Sequence, residues 1–213
     1  MLKQVGLIAA VVAGVVSSTH LAQAQPAPVE AAAPGARTHD GFFFRIGLNF
    51  GVGSLSNDVT SFGEESISGF ALGNDFLFGG TPVPGLVIGG GLMSTYGPKP
   101  KYELAGVERE LDGTLYMFGL AGFVQYYIDP HEGFHIQAFA GYGALDFVTD
   151  AGQSGGNDPH GPFFGGGLGY DFWVGDQWSI GPFGRVLYGT MSAEGSDSVS
   201  YLYPSIGAAF TLH

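Results

Sequence analysis

Several short stretches have residue types and spacings that suit chemistry. "GGLGYDFWV", Gly166 to Val174, fits the calcium nonapeptide G-G-x-G-x-D-x-U-x, with Asp171 as the ligand. That repeat works in tandem, because each copy completes its neighbour's site. The other glycine run, Gly89 to Leu92, has no aspartate, so calcium is not expected. "GQSGG", Gly152 to Gly156, matches the hydrolase elbow G-x-S-x-G but sits in a polar stretch, without the strand-to-helix turn that motif needs. "GVGSLS" at Gly51 begins like a dinucleotide fingerprint and has no βαβ context. The histidines, His20, His39, His131, His135, His160 and His213, form no pair with metal-ligand spacing. His160 near Ser154 or Asp158 is the one arrangement compatible with lipid hydrolysis. No catalytic residue, cofactor or metal is expected from these patterns.

The elements that would carry such residues explain the glycines better. The N-terminus reads "MLKQVGLIAAVVAGVVSSTHLAQA": a cation at Lys3, an apolar core from Val5 to Val16 and an A-x-A site at Ala22 to Ala24. This is the pattern of a cleaved secretory signal, residues 1–24, and its apolar core is too short to span a bilayer. Residues 25–41, rich in proline and alanine, are expected to form a flexible periplasmic leader. The chain has no cysteine, so an exported fold must be stabilised without disulfides. With 7 Lys+Arg against 19 Asp+Glu, it is strongly acidic, which excludes nucleic acid as a partner. Only 12% of its residues are charged, about half the usual share.

From Phe42 the hydrophobic period is two. Phe42, Phe44, Ile46, Leu48, Phe50 and Val52 share one face; Phe43, Arg45, Gly47, Asn49, Gly51 and Gly53 share the other. The pattern recurs at about 66–79, 84–94, 114–128, 133–147, 161–174, 178–190 and 200–212. Connections alternate long and short; the short ones are "GTPVP", "DPHEG" and "GDQ". Long outer loops and short periplasmic turns are the pattern of outer-membrane barrels. Phe42, Phe76, Phe78, Tyr126, Phe134, Phe172 and Trp178 lie near the short turns, as an aromatic girdle would. The expected fold is all-β: an eight-stranded antiparallel up-and-down transmembrane β-barrel over residues 42–213.

In strand count, loop alternation, signal peptide and girdle, the chain resembles small outer-membrane barrels of the OmpA/OmpX/OmpW type. Ser205, Gly207, Phe210 and Leu212 resemble the C-terminal signal read by barrel-insertion machinery, although the chain ends on His213 where bacterial members usually have an aromatic. The resemblance implies a bacterial outer-membrane location, contact with membrane lipid and lipopolysaccharide, and a monomer.

Alternation places Arg45, Asp75, Asp171 and Arg185 on the inner face, with Asn49, Gln125 and His135. Charges in a membrane protein are costly unless turned inward and paired. Arg45 and Asp75 lie on neighbouring strands, as do Asp171 and Arg185, and together they are expected to form one structural polar network filling a narrow lumen. Asn74 shares parity with Phe76 and would face lipid unless a bulge turns it. The expected function is that of a non-enzymatic barrel acting through its outer loops or in envelope integrity. The alternatives are a lipid-A-modifying barrel enzyme and a narrow channel for small solutes.

Overall fold

The computed structural model describes residues 36–59, 63–154, 158–193 and 198–213, all within one compact unit, Pro34–His213. The expected signal peptide and most of the expected leader lie outside the described residues. Eleven strands form one sheet: β1(Gly41–Val59), β2(Gly63–Val83), β3(Leu86–Pro98), β4(Lys101–Leu104), β5(Val107–Glu110), β6(Gly113–Tyr127), β7(Phe134–Thr149), β8(His160–Tyr170), β9(Phe172–Trp173), β10(Trp178–Met191) and β11(Val199–Leu212). Eight of them, β1, β2, β3, β6, β7, β8, β10 and β11, pair antiparallel in ring order, and β1 with β11 closes the ring. Closure leaves no ring strand with an open edge, which is what a sheet needs to cross lipid.

Alternation follows the sequence pattern. Phe43, Arg45, Gly47 and Asn49 on β1 are buried while Leu48, Phe50 and Val52 are exposed on the outer wall. The girdle residues Phe42, Phe76, Phe78, Tyr126, Phe134 and Phe172 face outward, and Trp178 stacks on Phe210 at 4.6 Å. A second outward belt, Tyr96, Tyr116, Tyr142 and Tyr188, lies toward the long-loop end.

Three features depart from the sequence reading. The longest connection is not a plain loop: β4 and β5 form a hairpin, and β4 continues the ladder on β2 from Glu65↔Leu104 to Ser68↔Lys101. Its two-residue turn, Ala105–Gly106, has positive φ at both positions (51° and 81°), the conformation that matches strand twist. The first connection is also largely ladder, because β1 and β2 pair without interruption from Gly41↔Thr81 to Val59↔Gly63. That continuous register removes the bulge expected at Asn74. The irregularity in β2 lies instead between Gly80 and Val83, and Asn74 stays on the outer face, where it accepts a hydrogen bond from Ser94 Oγ at 3.0 Å.

Inward glycines make room for the bulky interior side chains. A Cβ on Gly47 would lie 2.5 Å from an Asp75 carboxylate oxygen, one on Gly167 2.7 Å from Arg185 Cβ, and one on Gly169 2.7 Å from His135 Nε2. Each glycine is the direct cross-strand neighbour of the side chain it accommodates. Phe163 sits in the space left by Gly119, Gly141 and Gly189. The glycine run of the apparent calcium motif is thus part of this packing.

Candidate functional site

The four expected interior charges are all buried, Arg45, Asp75, Asp171 and Arg185 each being 6% exposed or less. They do not pair with their neighbours along the wall. Arg45 binds Asp171 (Nη2 to Oδ2, 2.7 Å), and Arg185 binds Asp75 (Nη2 to Oδ2, 2.8 Å). Register explains the exchange. Arg45 lies opposite Leu77 and Thr211, Asp75 opposite Gly47, and Arg185 opposite Gly167 and Ser205, so none has a charged cross-strand neighbour. Each long guanidinium instead reaches across the interior to an acid three strands away around the ring. No hydrogen bond joins the two pairs among the described residues, so the expected single network is two clusters.

The Arg45 cluster is densely bonded. Arg45 Nε donates to Thr211 Oγ1 at 3.0 Å, Nη1 to Gln125 Oε1 at 2.8 Å, and both terminal nitrogens approach His135 Nε2 at 3.3 Å. His135 Nδ1 faces the Gly133 carbonyl at 3.0 Å, which can only accept, so Nδ1 carries the proton and Nε2 accepts from Arg45. The Tyr127 hydroxyl donates to Asp171 Oδ2 at 2.6 Å. Gln125 and His135 were expected inside; Tyr127 and Thr211 were not singled out, although the same alternation places them there. Asp171 Oδ2 takes both the Arg45 guanidinium and the Tyr127 hydroxyl, while among the described residues its Oδ1 has no hydrogen-bond partner.

The Arg185 pair lies further from the short turns, seven residues into β10. Arg185 packs against Phe183 and Phe139, with its guanidinium carbon 5.1 and 5.7 Å from the ring centres. The charges meet at 2.8 Å without an aligned hydrogen bond to Asp75 Oδ2, and Arg185 Nε has no partner. Beyond it Tyr203 donates to Asn49 Oδ1 at 2.8 Å. Toward the long loops the interior turns apolar, with Met93, Met117, Leu145, Phe163, Leu187 and Met191.

Below the Arg45 cluster, at the short-turn end, residues 37–39 cross the mouth of the barrel. Arg37 N donates to Asp176 O at 2.8 Å, His39 N to Pro130 O at 2.9 Å, and Gly85 N to His39 O at 2.8 Å. This end of the expected flexible leader is therefore tied to all three short turns. The His39 ring is buried, stacks on Tyr127 at 3.4 Å and lies 4.6 Å from Trp173. Its Nδ1 meets His213 Nδ1 at 2.9 Å. The hydrogen bonds define the protons. Glu132 O can only accept, so His39 Nε2 carries the hydrogen at 2.9 Å; His39 Nδ1 then accepts from His213 Nδ1–H, and His213 Nε2 accepts from Ser179 Oγ at 2.8 Å. Burial pushes His39 down to about 4 and His213 down to about 3. Ring closure thus brings together His39 and His213, 174 residues apart in the chain, and among the described residues no group of three His, Cys, Asp or Glu could hold a metal.

At the long-loop end, Ser154 donates to Asp146 Oδ1 at 2.8 Å, and His160 Nδ1 lies 3.2 Å from the Asp158 carbonyl. In the C-terminal strand Ser205 faces inward and Gly207 packs against Asn49. Phe210 faces outward, and Leu212 pairs with Phe44 and Trp178 at the base.

Comparison with known proteins gives a family and a set of similar folds. The chain is similar to Neisserial surface protein A (12% identity, TM-score 0.46, covering 78% of this chain and 95% of that one). It is also similar to Ail, the attachment invasion locus protein of Yersinia pestis (15%, 0.41, 81% and 99%), and to the Pseudomonas putida toluene transporter TodX (10%, 0.26, 81% and 71%). No curated protein matches. The model of the autotransporter beta-domain matches residues 42–199, from the first barrel strand to the start of the last. The chain therefore belongs to the autotransporter beta-domain family and is a β-barrel of the bacterial outer membrane.

Proposed function

We propose that this barrel is a non-enzymatic outer-membrane protein whose interior is closed by its own side chains and whose working surface is the sheet raised at the long-loop end. The observation that carries the reading is the pair of ion pairs, Arg45–Asp171 and Arg185–Asp75, each reaching across a lumen that eight strands make only wide enough for side chains. The buried His39–Tyr127 stack and the apolar residues around Phe163 add support at either side of those pairs.

The family's name refers to transport through a barrel. Here Arg37 to His39 are bonded at the short-turn end, and a chain passing through would have to separate both ion pairs. The working surface is instead the extension formed where β2 leaves β3 for β4 and β4 pairs with β5. Its Lys101–Glu108 and Lys99–Glu110 pairs give a mixed-charge surface suited to polar partners, lipopolysaccharide among them. Single-channel recording in planar bilayers tests the closed interior. The expected result is no steady conductance above leak from folded, heat-modifiable protein; regular channel openings would overturn it.

A further inference from the structure

The outer wall of the barrel is apolar along its middle, with one break, the cross-strand pair Asn74 and Ser94. On β2 the outward positions from the short-turn end are Phe78, Phe76, Asn74, Leu72 and Phe70. Asn74 is the central one, and register sets it beside Leu48, in the middle of the outward run of β1. It therefore lies at mid-depth between the two aromatic belts, one outward position from Phe76 of the lower belt and diagonal to Tyr96 of the upper one. Its Oδ1 accepts from Ser94 at 3.0 Å, and its amide nitrogen has no partner among the described residues. Hydrocarbon offers no hydrogen-bond acceptor, so an N–H of that amide can gain a partner at this depth only from protein.

We propose that the β2–β3 face of the barrel binds a second copy of this chain, with the Asn74 amide of each copy donating to Oδ1 of the other. A second copy inserted the same way carries its Asn74 at the same depth, so a two-fold axis along the membrane normal brings the amides level. A carboxamide is self-complementary, and Oδ1 has a second lone pair beside the one used by Ser94. Leu48, Leu72, Phe76 and Leu92 surround the amide with exposed apolar surface. Charge also favours this side. Lys99, Lys101 and Arg109, in or beside the β4–β5 hairpin that continues the β2 ladder, are the exposed cations of the long-loop end among the described residues. Two copies meeting here bring mixed-sign hairpins together instead of two acidic surfaces. This departs from the monomer expected from the sequence.

The chain has no cysteine, so one introduced thiol reports on one contact. Leu72→Cys protein in proteoliposomes should form a disulfide dimer under mild oxidation, well above the level given by Leu168→Cys, on β8 on a different part of the wall. Adding Asn74→Leu to Leu72→Cys should lower the dimer fraction about threefold or more, the scale of a polar contact in a bilayer. Heat-modifiable gel mobility shows that each variant is folded. Equal cross-linking at Leu72→Cys and Leu168→Cys would overturn the proposal, as would cross-linking unchanged by Asn74→Leu. A Leu72→Cys adduct to a different protein in native membranes, with no homodimer in proteoliposomes, would also overturn it.

Discussion

The two ion pairs of the interior have the same chemistry and opposite surroundings. Arg45–Asp171 is one contact in a cluster with Thr211, Gln125, His135 and Tyr127, so losing one member leaves the others partly satisfied. In Arg185–Asp75 the guanidinium lies over the rings of Phe139 and Phe183, and among the described residues Arg185 Nε and Asp75 Oδ2 have no hydrogen-bond partner. A buried charge in apolar surroundings depends on its single counter-charge, whereas one in a polar cluster is stabilised by many dipoles. The position along the barrel explains the difference. The lower pair sits where three short turns and the base residues crowd polar groups together; the upper pair sits where the interior gives way to methionine, leucine and phenylalanine.

The sharpest way to break this comparison is Arg185→Ala. It strands Asp75 with no hydrogen bond and should cost about 3–5 kcal/mol in urea unfolding of the reconstituted barrel. Adding Asp75→Ala should recover part of that loss, while adding Asp171→Ala should not; recovery with Asp171 instead would mean the pairs are exchanged. Arg45→Ala should cost less, about 2–3 kcal/mol, because Asp171 keeps the Tyr127 hydroxyl and has His135 Nδ1 at 3.6 Å. If Arg45→Ala proves the more damaging of the two, the surroundings do not set the cost.

Gly47→Ala should be milder still, about 1–3 kcal/mol, by pressing a methyl against the Asp75 carboxylate and loosening Arg185. Gly53→Ala, whose nearest neighbour would be Ala71 Cβ at 3.8 Å, serves as its control and should be close to neutral in the same unfolding assay.

The smallest effect is expected from pH at the base. His39 and His213 are held neutral in the folded state, at about 4 and about 3, against the ordinary histidine value of 6.5. The freed rings therefore bind protons more readily, so the contact of residues 37–39 with the mouth is at full strength above about pH 6.5 and weakens as pH falls toward 4. Hydrogen exchange at the His39 and Gly85 amides should accelerate between pH 7 and pH 4 relative to the β6–β7 ladder, once intrinsic rates are corrected. Unchanged relative protection would remove the histidine contact as the fastening.

Much of this was legible in the chain itself. A strand's two faces are set by a period of two along contiguous residues, so the eight ring strands, the inward direction of Arg45, Asp75, Asp171 and Arg185, and the outward aromatics near the short turns could all be read locally. The β4–β5 hairpin was missed because each strand has only four residues and its turn is Ala105–Gly106, not the Asn-Gly or Asp-Gly that usually announces such a turn. Parity points Asn74 at lipid, and a polar residue there looks like an error of phase that a bulge would correct. The unbroken β1–β2 register shows that the phase was right and the residue is outward.

What the sequence could not determine is who meets whom across the interior. Arg45 and Asp171 are 126 residues apart, and His39 and His213 are 174 apart. Period and parity say that a side chain points inward, but the partner on the far wall depends on how the strands are staggered when the sheet closes, and stagger is a property of the whole ring. Neighbours along the wall would have paired Arg45 with Asp75; closure pairs Arg45 with Asp171 and Asp75 with Arg185. In the same way closure turns a histidine of the expected leader and the histidine that ends the chain into a single hydrogen-bonded contact at the base of the barrel.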